Sequence, residues 1–309
     1  VDMITELTTS SVALAVQELS KEKKKIDIVV GAATSAITGA SCTPYGFHWA
    51  FDTHALAVGT GGALVKAGGD SWFFLTADYA FGYALEKDTS EIVTAAGGKV
   101  LGSVRVPLNS SDFSSFLLQA QSSKAKVIGL ANAGQDTTNS IKQAAEFGIQ
   151  QSGQTMVAFL LFVNDIHGMG LKVAQGLQLL EAFYWDMNDD TRAFAKRFAA
   201  RPGMNGKMPS GNQAGVYAAT LAYLNAVAAT GSDDAKVVVP QMKTFKGKDR
   251  LFGDTTIRQD GRVIHPMYLF EVKKPEESKY PYDYYKLIAT IPAEQAFRPL
   301  ADGGCPLVK

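Results

Sequence analysis

Residues 72–93, WFFLTADYAFGYALEKDTSEIV, pass from a short apolar run through a polar-aromatic turn into a helical pattern, and that order of events makes them one βα unit. Residues 72–75 are apolar throughout and bounded by Gly68-Gly69-Asp70 and Asp78, which suits a strand covered on both faces of a parallel sheet. From Phe81 onward helix formers follow, with Leu85, Ile92 and Val93 at helical spacing and Gly97-Gly98 closing the unit. Ligands of open parallel α/β sheets bind at the carboxyl ends of strands, so a site is expected at the turn 76–82.

The same alternation runs along most of the chain. Strands are expected at 3–7, 26–30, 101–106, 125–131 and 156–163, and helices at 12–25, 53–67, 112–121 and 136–147. Thr8, Thr9, Ser10 and Ser11 offer N-cap hydroxyls to the first helix, which the basic run 21–25 closes as a solvated face. Residues 31–35 form a second small-residue turn, opening a short helix that stops at Gly39. Each unit takes about thirty residues, the βαβ period. Residues 177–185 read as a strand leading out of this block. Helices at 191–200, 212–229 and 235–245 follow, then a β-hairpin of strands 255–257 and 267–272 with its turn at 258–261.

At 309 residues, with 46% hydrophobic and 19% charged residues, the chain is expected to form two domains with substantial cores. Thirty basic and thirty acidic residues cancel, which removes a global electrostatic case for nucleic acid or an anionic membrane. No apolar run reaches a membrane span, and the first residues, VDMITELTTSS, lack the layout of a signal peptide. Enzyme signatures are missing as well: there is no P-loop, G-x-S-x-G or H-E-x-x-H, and Gly59-Thr60-Gly61-Gly62 sits inside a helical pattern rather than after a strand. Four scattered histidines and two cysteines build neither a metal cluster nor a CxxC site, so neither cofactor nor metal is expected.

The ordered series LTTSSVALAV, VVGAATSAITG, YGFHWAFDTHALAVGTGGALV, FFLTADYAFG, NSSDFSSFLLQAQSSKAKVIGLANAG and LLEAFYWDMND resembles the periplasmic solute-binding proteins of the leucine/isoleucine/valine-binding family, the type I receptors of ABC importers. The resemblance spans nearly the whole chain. It implies an α/β fold of two Rossmann-like lobes, parallel sheets flanked by helices, joined by three crossover strands, with a ligand held in the cleft. It implies a first lobe of residues 1–52 plus 185–262, a second of 53–184 plus 263–285, and a tail 286–309 returning towards the first. Family members begin with a further strand-helix-strand-helix segment, so the chain is expected to be a fragment or numbered after a gap. The implied partners are a small-molecule ligand and a membrane permease, the implied compartment is the periplasm, and the protein is expected to be monomeric without nucleic acid. A ligand-sensing domain of a receptor or regulator would use the same fold.

Carried over residue by residue, the ligand-anchoring turns are Thr8, Thr9 and Ser10, and Ala32, Ala33 and Thr34, where hydroxyls and free N–H groups at helix N-termini can hold a carboxylate. Taken alone, each turn is no more than a helix cap. On the opposite lobe the expected lining is Tyr79 and Phe81, Asn132 and Gln135, and Leu160 and Phe162. His48, Trp49, Tyr184 and Trp185 join the set because they lie at crossovers. Amino-acid binders of the family commonly place an acid where residues 158–162 read Ala-Phe-Leu-Leu-Phe. An ammonium buried against leucine would cost several kcal/mol, so an apolar or aromatic carboxylate is favoured over an amino acid unless Asp78 or Asp136 substitutes. Cys42 and Cys305 both stand in loop-like settings, and the oxidising compartment implied by the resemblance would join them in a disulfide.

Overall fold

The computed structural model describes residues 1–308. In chain order the first block holds β1 (Met3–Glu6), α1 (Ser10–Lys23), β2 (Ile26–Val29), β3 (Gly46–His48) and α2 (Thr53–Lys66). The second holds β4 (Ser71–Ala77), α3 (Ala80–Ala95), β5 (Lys99–Val106), α4 (Ser114–Ser122), β6 (Val127–Ala131), α5 (Gln135–Glu146), β7 (Thr155–Ala158), α6 (Val163–Met169), α7 (Leu171–Ala174) and β8 (Gln178–Glu181). Then come α8 (Asp189–Ala199), α9 (Gly211–Thr230), α10 (Ala235–Lys243), β9 (Lys246–Asp249), β10 (Gly253–Ile257), β11 (Val263–Ile264), β12 (Met267–Val272), β13 (Tyr285–Ile291) and α11 (Ala293–Ala296). Among the described residues no helix is long and apolar enough to cross a membrane.

The chain divides into two compact units, the first made of Val1–Ala55, Ala182–Met267 and the residues from 291 onward, the second of Leu56–Glu181 and Tyr268–Thr290. The divisions fall at 55/56, 181/182, 267/268 and 290/291.

In the first unit β1, β2 and β3 pair in that order, all parallel, with Glu6 opposite Val29 and Asp27 opposite Gly46. Parallel neighbours need a crossover, and α1 supplies it between β1 and β2. It stops at Lys24, which takes the left-handed conformation (φ 53°), with Lys21 and Lys23 in the last turn where the dipole favours positive charge. In the second unit β5, β4, β6 and β7 form a parallel sheet in that order, while β8, β12 and β13 make a smaller sheet in which β12 and β8 run antiparallel. β4 is central, and its Trp72, Phe74 and Leu75 are fully buried, as expected for a strand covered on both faces.

Three expectations need correction. The turn at 258–261 does form, with Gly261 at φ 84° and Arg258 N–H donating to Arg262 O at 2.9 Å, but it joins β10 to the two-residue β11 and not to β12. Pro266 follows directly and cannot donate to a ladder, so the strand breaks there and β12 pairs in the second unit instead. The strand expected at 156–163 ends at Ala158, and Asp165 takes the Phe162 N–H at 2.9 Å to start α6. The short helix expected after residue 35 is a single 3₁₀ turn, Ser35–Ile37.

Cys42 and Cys305 are joined, with Cα atoms 5.5 Å apart across 263 residues of sequence, and both are buried in the first unit. Replacing both by Ser should lower stability in urea unfolding by about 4 to 5 kcal/mol, the chain-entropy value for very long loops. A loss below 1 kcal/mol would show that the bridge constrains little.

Asp27 on β2 is fully buried, neither carboxylate oxygen has a hydrogen-bond partner, and burial raises its pKa to about 7. The folded state therefore holds this proton up to near neutrality while the unfolded chain releases it near pH 4. The stability it contributes is complete below the unfolded pKa and is lost as pH rises through about 7. Asp27→Asn should remove that slope and make the protein more stable than the parent at pH 8 but not at pH 4, read as urea midpoints at the two pH values.

Candidate functional site

The second unit winds outward in both directions from its centre: β4 leads to β5 on one side, and the chain then crosses back to β6 on the other. The crevice at the carboxyl ends of β4 and β6 is thus a topological switch point, the place where open α/β sheets bind ligands. Tyr79 and Phe81 follow β4 and Asn132 follows β6. Tyr79 stands at the N-cap of α3 in extended conformation without a capping hydrogen bond, its ring 5.8 Å from that of Phe81. Burial, with Asp136 nearby, pushes the Tyr79 phenol up to about 12, so it stays a neutral donor. Gly82 must be glycine, because an added Cβ would fall 2.0 Å from the Ala77 carbonyl oxygen; this lets α3 begin hard against β4.

The other residues expected here are placed differently. Asn132 is buried and engaged, donating to Ser140 Oγ at 3.0 Å and accepting from Thr137 Oγ1 at 2.8 Å, so it braces the start of α5. Gln135 is exposed and donates to Asn139. Leu160 is buried and Phe162 half-buried in the irregular stretch between β7 and α6. The nearby acids are engaged as well. Asp165 holds the Phe162 N–H, Asp78 accepts from the Tyr83 hydroxyl, and Asp136 Oδ2 accepts the Asn109 N–H at 3.1 Å. Only Asp136 keeps a buried oxygen, Oδ1, without a hydrogen-bond partner.

In the first unit the turns after β1 and β2 are fastened to each other. Ser10 Oγ accepts the Thr34 N–H at 3.3 Å, the Ala32 N–H donates to Leu7 O at 3.0 Å, and both Ser10 and Thr34 are buried. Those two N–H groups are therefore spent within the protein, as are those of Gly31 on Glu6 O at 3.4 Å and Ser35 on Thr53 Oγ1 at 3.1 Å. Thr34 Oγ1 accepts from Ala36 N–H and so acts as a cap. Thr9, by contrast, sits at the N-cap of α1 with no side-chain cap bond, and Thr8 is exposed with its hydroxyl on Glu6. No acid occupies the first turn of α1, a fourteen-residue helix, and the acid near its start is Glu6, held by the Thr8 hydroxyl.

His48 is completely buried, and its Nε2 donates to Ala32 O at 2.8 Å, which fixes the turn from below. Burial drives its pKa down to about 3, so the ring is neutral and the proton resides on Nε2. Trp49 is buried beside it, while Tyr184 and the half-buried Trp185 form an edge-to-face pair with centroids 6.1 Å apart. Glu6 was not expected from sequence, where it reads as one more strand residue. Its carboxylate accepts from Thr8 at 3.0 Å and crowds Gly31, where an added Cβ would meet Oε1 at 2.7 Å; burial raises its pKa.

Each of the two α/β units carries strand-end turns of the kind at which open α/β sheets hold small ligands. The chain belongs to the periplasmic binding protein family, whose model matches residues 1–279. Members are the substrate-binding proteins of ABC transporters and not enzymes. A solved periplasmic binding protein from Burkholderia mallei is 52% identical, with a TM-score of 0.96 over 100% of this chain and 81% of its own. A branched chain amino acid ABC transporter periplasmic ligand-binding protein from Burkholderia xenovorans LB400 is 40% identical, with a TM-score of 0.88 over 100% and 82%. A Leu/Ile/Val-binding protein homolog from Brucella melitensis is 26% identical over 290 residues, 90% of this chain and 71% of the relative.

The two hydroxyl turns differ in a testable way. Ser10→Ala should destabilise the fold by about 1 kcal/mol, since it releases the buried Thr34 N–H. Thr9→Val should leave the melting temperature unchanged yet weaken ligand binding by about 1.5 to 3 kcal/mol, the range for hydrogen bonds to a charged group. Unaltered affinity in Thr9→Val would remove this hydroxyl from the site.

Proposed function

We propose that this protein captures a small carboxylate, apolar or aromatic, outside the cytoplasm and delivers it to the permease of an ABC importer. The observation that carries the ligand class is the second unit's strand-end surface. It carries the half-buried Tyr79 and Phe162 together with the buried Phe81 and Leu160, while Asp78 and Asp165 are already held by Tyr83 and by the Phe162 N–H. In the first unit the uncapped Thr9 and the N-terminus of α1 suit an anion. Fold neighbours from Rhodopseudomonas palustris were solved with benzoate and with 4-hydroxybenzoate, at 21% and 22% identity, which makes these compounds sensible first probes.

A second reading has its own support. The unpartnered Oδ1 of Asp136 could receive an ammonium, which would make the ligand an α-amino acid, in keeping with the branched chain amino acid ABC transporter protein of Burkholderia xenovorans to which the chain is similar.

A thermal-shift screen of benzoate, 4-hydroxybenzoate, 3,4-dihydroxybenzoate, leucine, isoleucine and valine separates the two. A ligand at a hundredfold its Kd adds about 2.7 kcal/mol to stability. Stabilisation by the benzoates alone is the expected result. Stabilisation by the amino acids alone, abolished by Asp136→Asn, would overturn the first reading in favour of the second.

A further inference from the structure

His48, Asp52, Arg262 and His265 are four buried ionisable side chains of the first unit, gathered next to the points where the chain leaves it. Asp52 precedes the passage at 55/56, and its Oδ1 accepts the Ala55 N–H at 2.8 Å, so it caps the first turn of α2. Its Oδ2 lies 3.4 Å from Arg262 Nε. Arg262 stands before the passage at 267/268; its Nη1 donates to Phe51 O at 3.2 Å and its guanidinium lies 4.2 Å from the centre of the Phe297 ring. Phe297 belongs to the segment that has re-entered the unit after 290/291. His265 Nε2 bonds Trp49 O at 3.1 Å, and a parallel bridge pairs His48 with Arg262.

A buried ion pair is an inefficient source of stability, because desolvation of both charges offsets most of their attraction and a well-packed apolar replacement is often neutral or better. What charge and hydrogen bonds supply, and apolar packing does not, is direction. Each contact of this pair orients backbone at a departure or return of the chain: the first turn of α2, the Phe51 carbonyl, and the tail at Phe297.

We propose that Asp52 and Arg262 are positioning residues for ligand capture, clamping to the first unit the first turn of α2, the Phe51 carbonyl and the tail at Phe297. The inference rests on the family's binding role and not on which ligand is bound.

The test uses the full, disulfide-bonded chain carrying Asp52→Leu with Arg262→Met. Hydrogen–deuterium exchange is read at residues 55–57 and across β2 and β4, and benzoate dissociation is followed by stopped flow. The expected result is exchange at 55–57 faster by about tenfold, from local opening, with β2 and β4 unchanged. Benzoate dissociation should accelerate in parallel. Unchanged exchange at 55–57, or a uniform rise throughout the first unit, would overturn the proposal, the latter by reducing the pair to a stability element. Should the double variant not fold, Asp52→Asn keeps the capping oxygen but removes the charge, and the same local-versus-uniform pattern decides. If benzoate does not bind the parent protein, the ligand reading fails and the exchange pattern alone judges the clamp.

Discussion

Parallel strand pairing is the constraint on which the rest depends. A strand that pairs parallel with its neighbour cannot turn back at its end; it must hand the chain to a crossover, and every such crossover starts on the same edge of the sheet. In each unit the sheet edge where parallel strands terminate, β1 and β2 in the first and β4 and β6 in the second, therefore collects turns, and those turns collect backbone N–H groups that no ladder satisfies. Binding at strand ends follows from this arithmetic before any side chain is chosen. Side chains then divide the unpaired groups into those closed internally, as Ser10 closes the Thr34 N–H, and those left for something else.

Buried polar groups accordingly do two jobs. Asn132 and His48 lie at strand ends or next to them and would pass for ligand contacts in a sequence, yet each is used to hold a turn in place: Asn132 between Thr137 and Ser140, His48 beneath Ala32. A neutral imidazole suits this task, because a charged one at full burial would need a counter-charge of its own. The Thr9 hydroxyl, which makes no cap bond, and the half-buried Tyr79 are the groups left to the proposed ligand contact.

How much of this was legible in the sequence depended on the range of the interaction. The apolar runs of β2, β4 and β6 and the helices that follow them were readable because burial on both faces leaves a local pattern. β13 was not, since all but its first residue and last are exposed and no alternation marks it. The turn at 258–261 is a local feature and forms, whereas the strand after it is diverted at Pro266 to a partner about ninety residues earlier in the chain. In the site the residue types were readable and their allegiances were not. Nothing local to Asn132 reveals Thr137 as its partner, and nothing local to Glu6 reveals that Gly31 lies against its carboxylate.

The Cys42–Cys305 bridge carries a consequence for the order of events during synthesis. The second unit is dominated by one continuous run, Leu56–Glu181, whereas the first must wait for segments from both ends of the chain. As the polypeptide emerges, Cys42 appears early and has no correct partner for a further 263 residues. Oxidation is thereby timed by the chain itself: in an oxidising compartment the thiol waits while the second unit condenses, and the bond that seals the first unit records that the last of its segments has arrived.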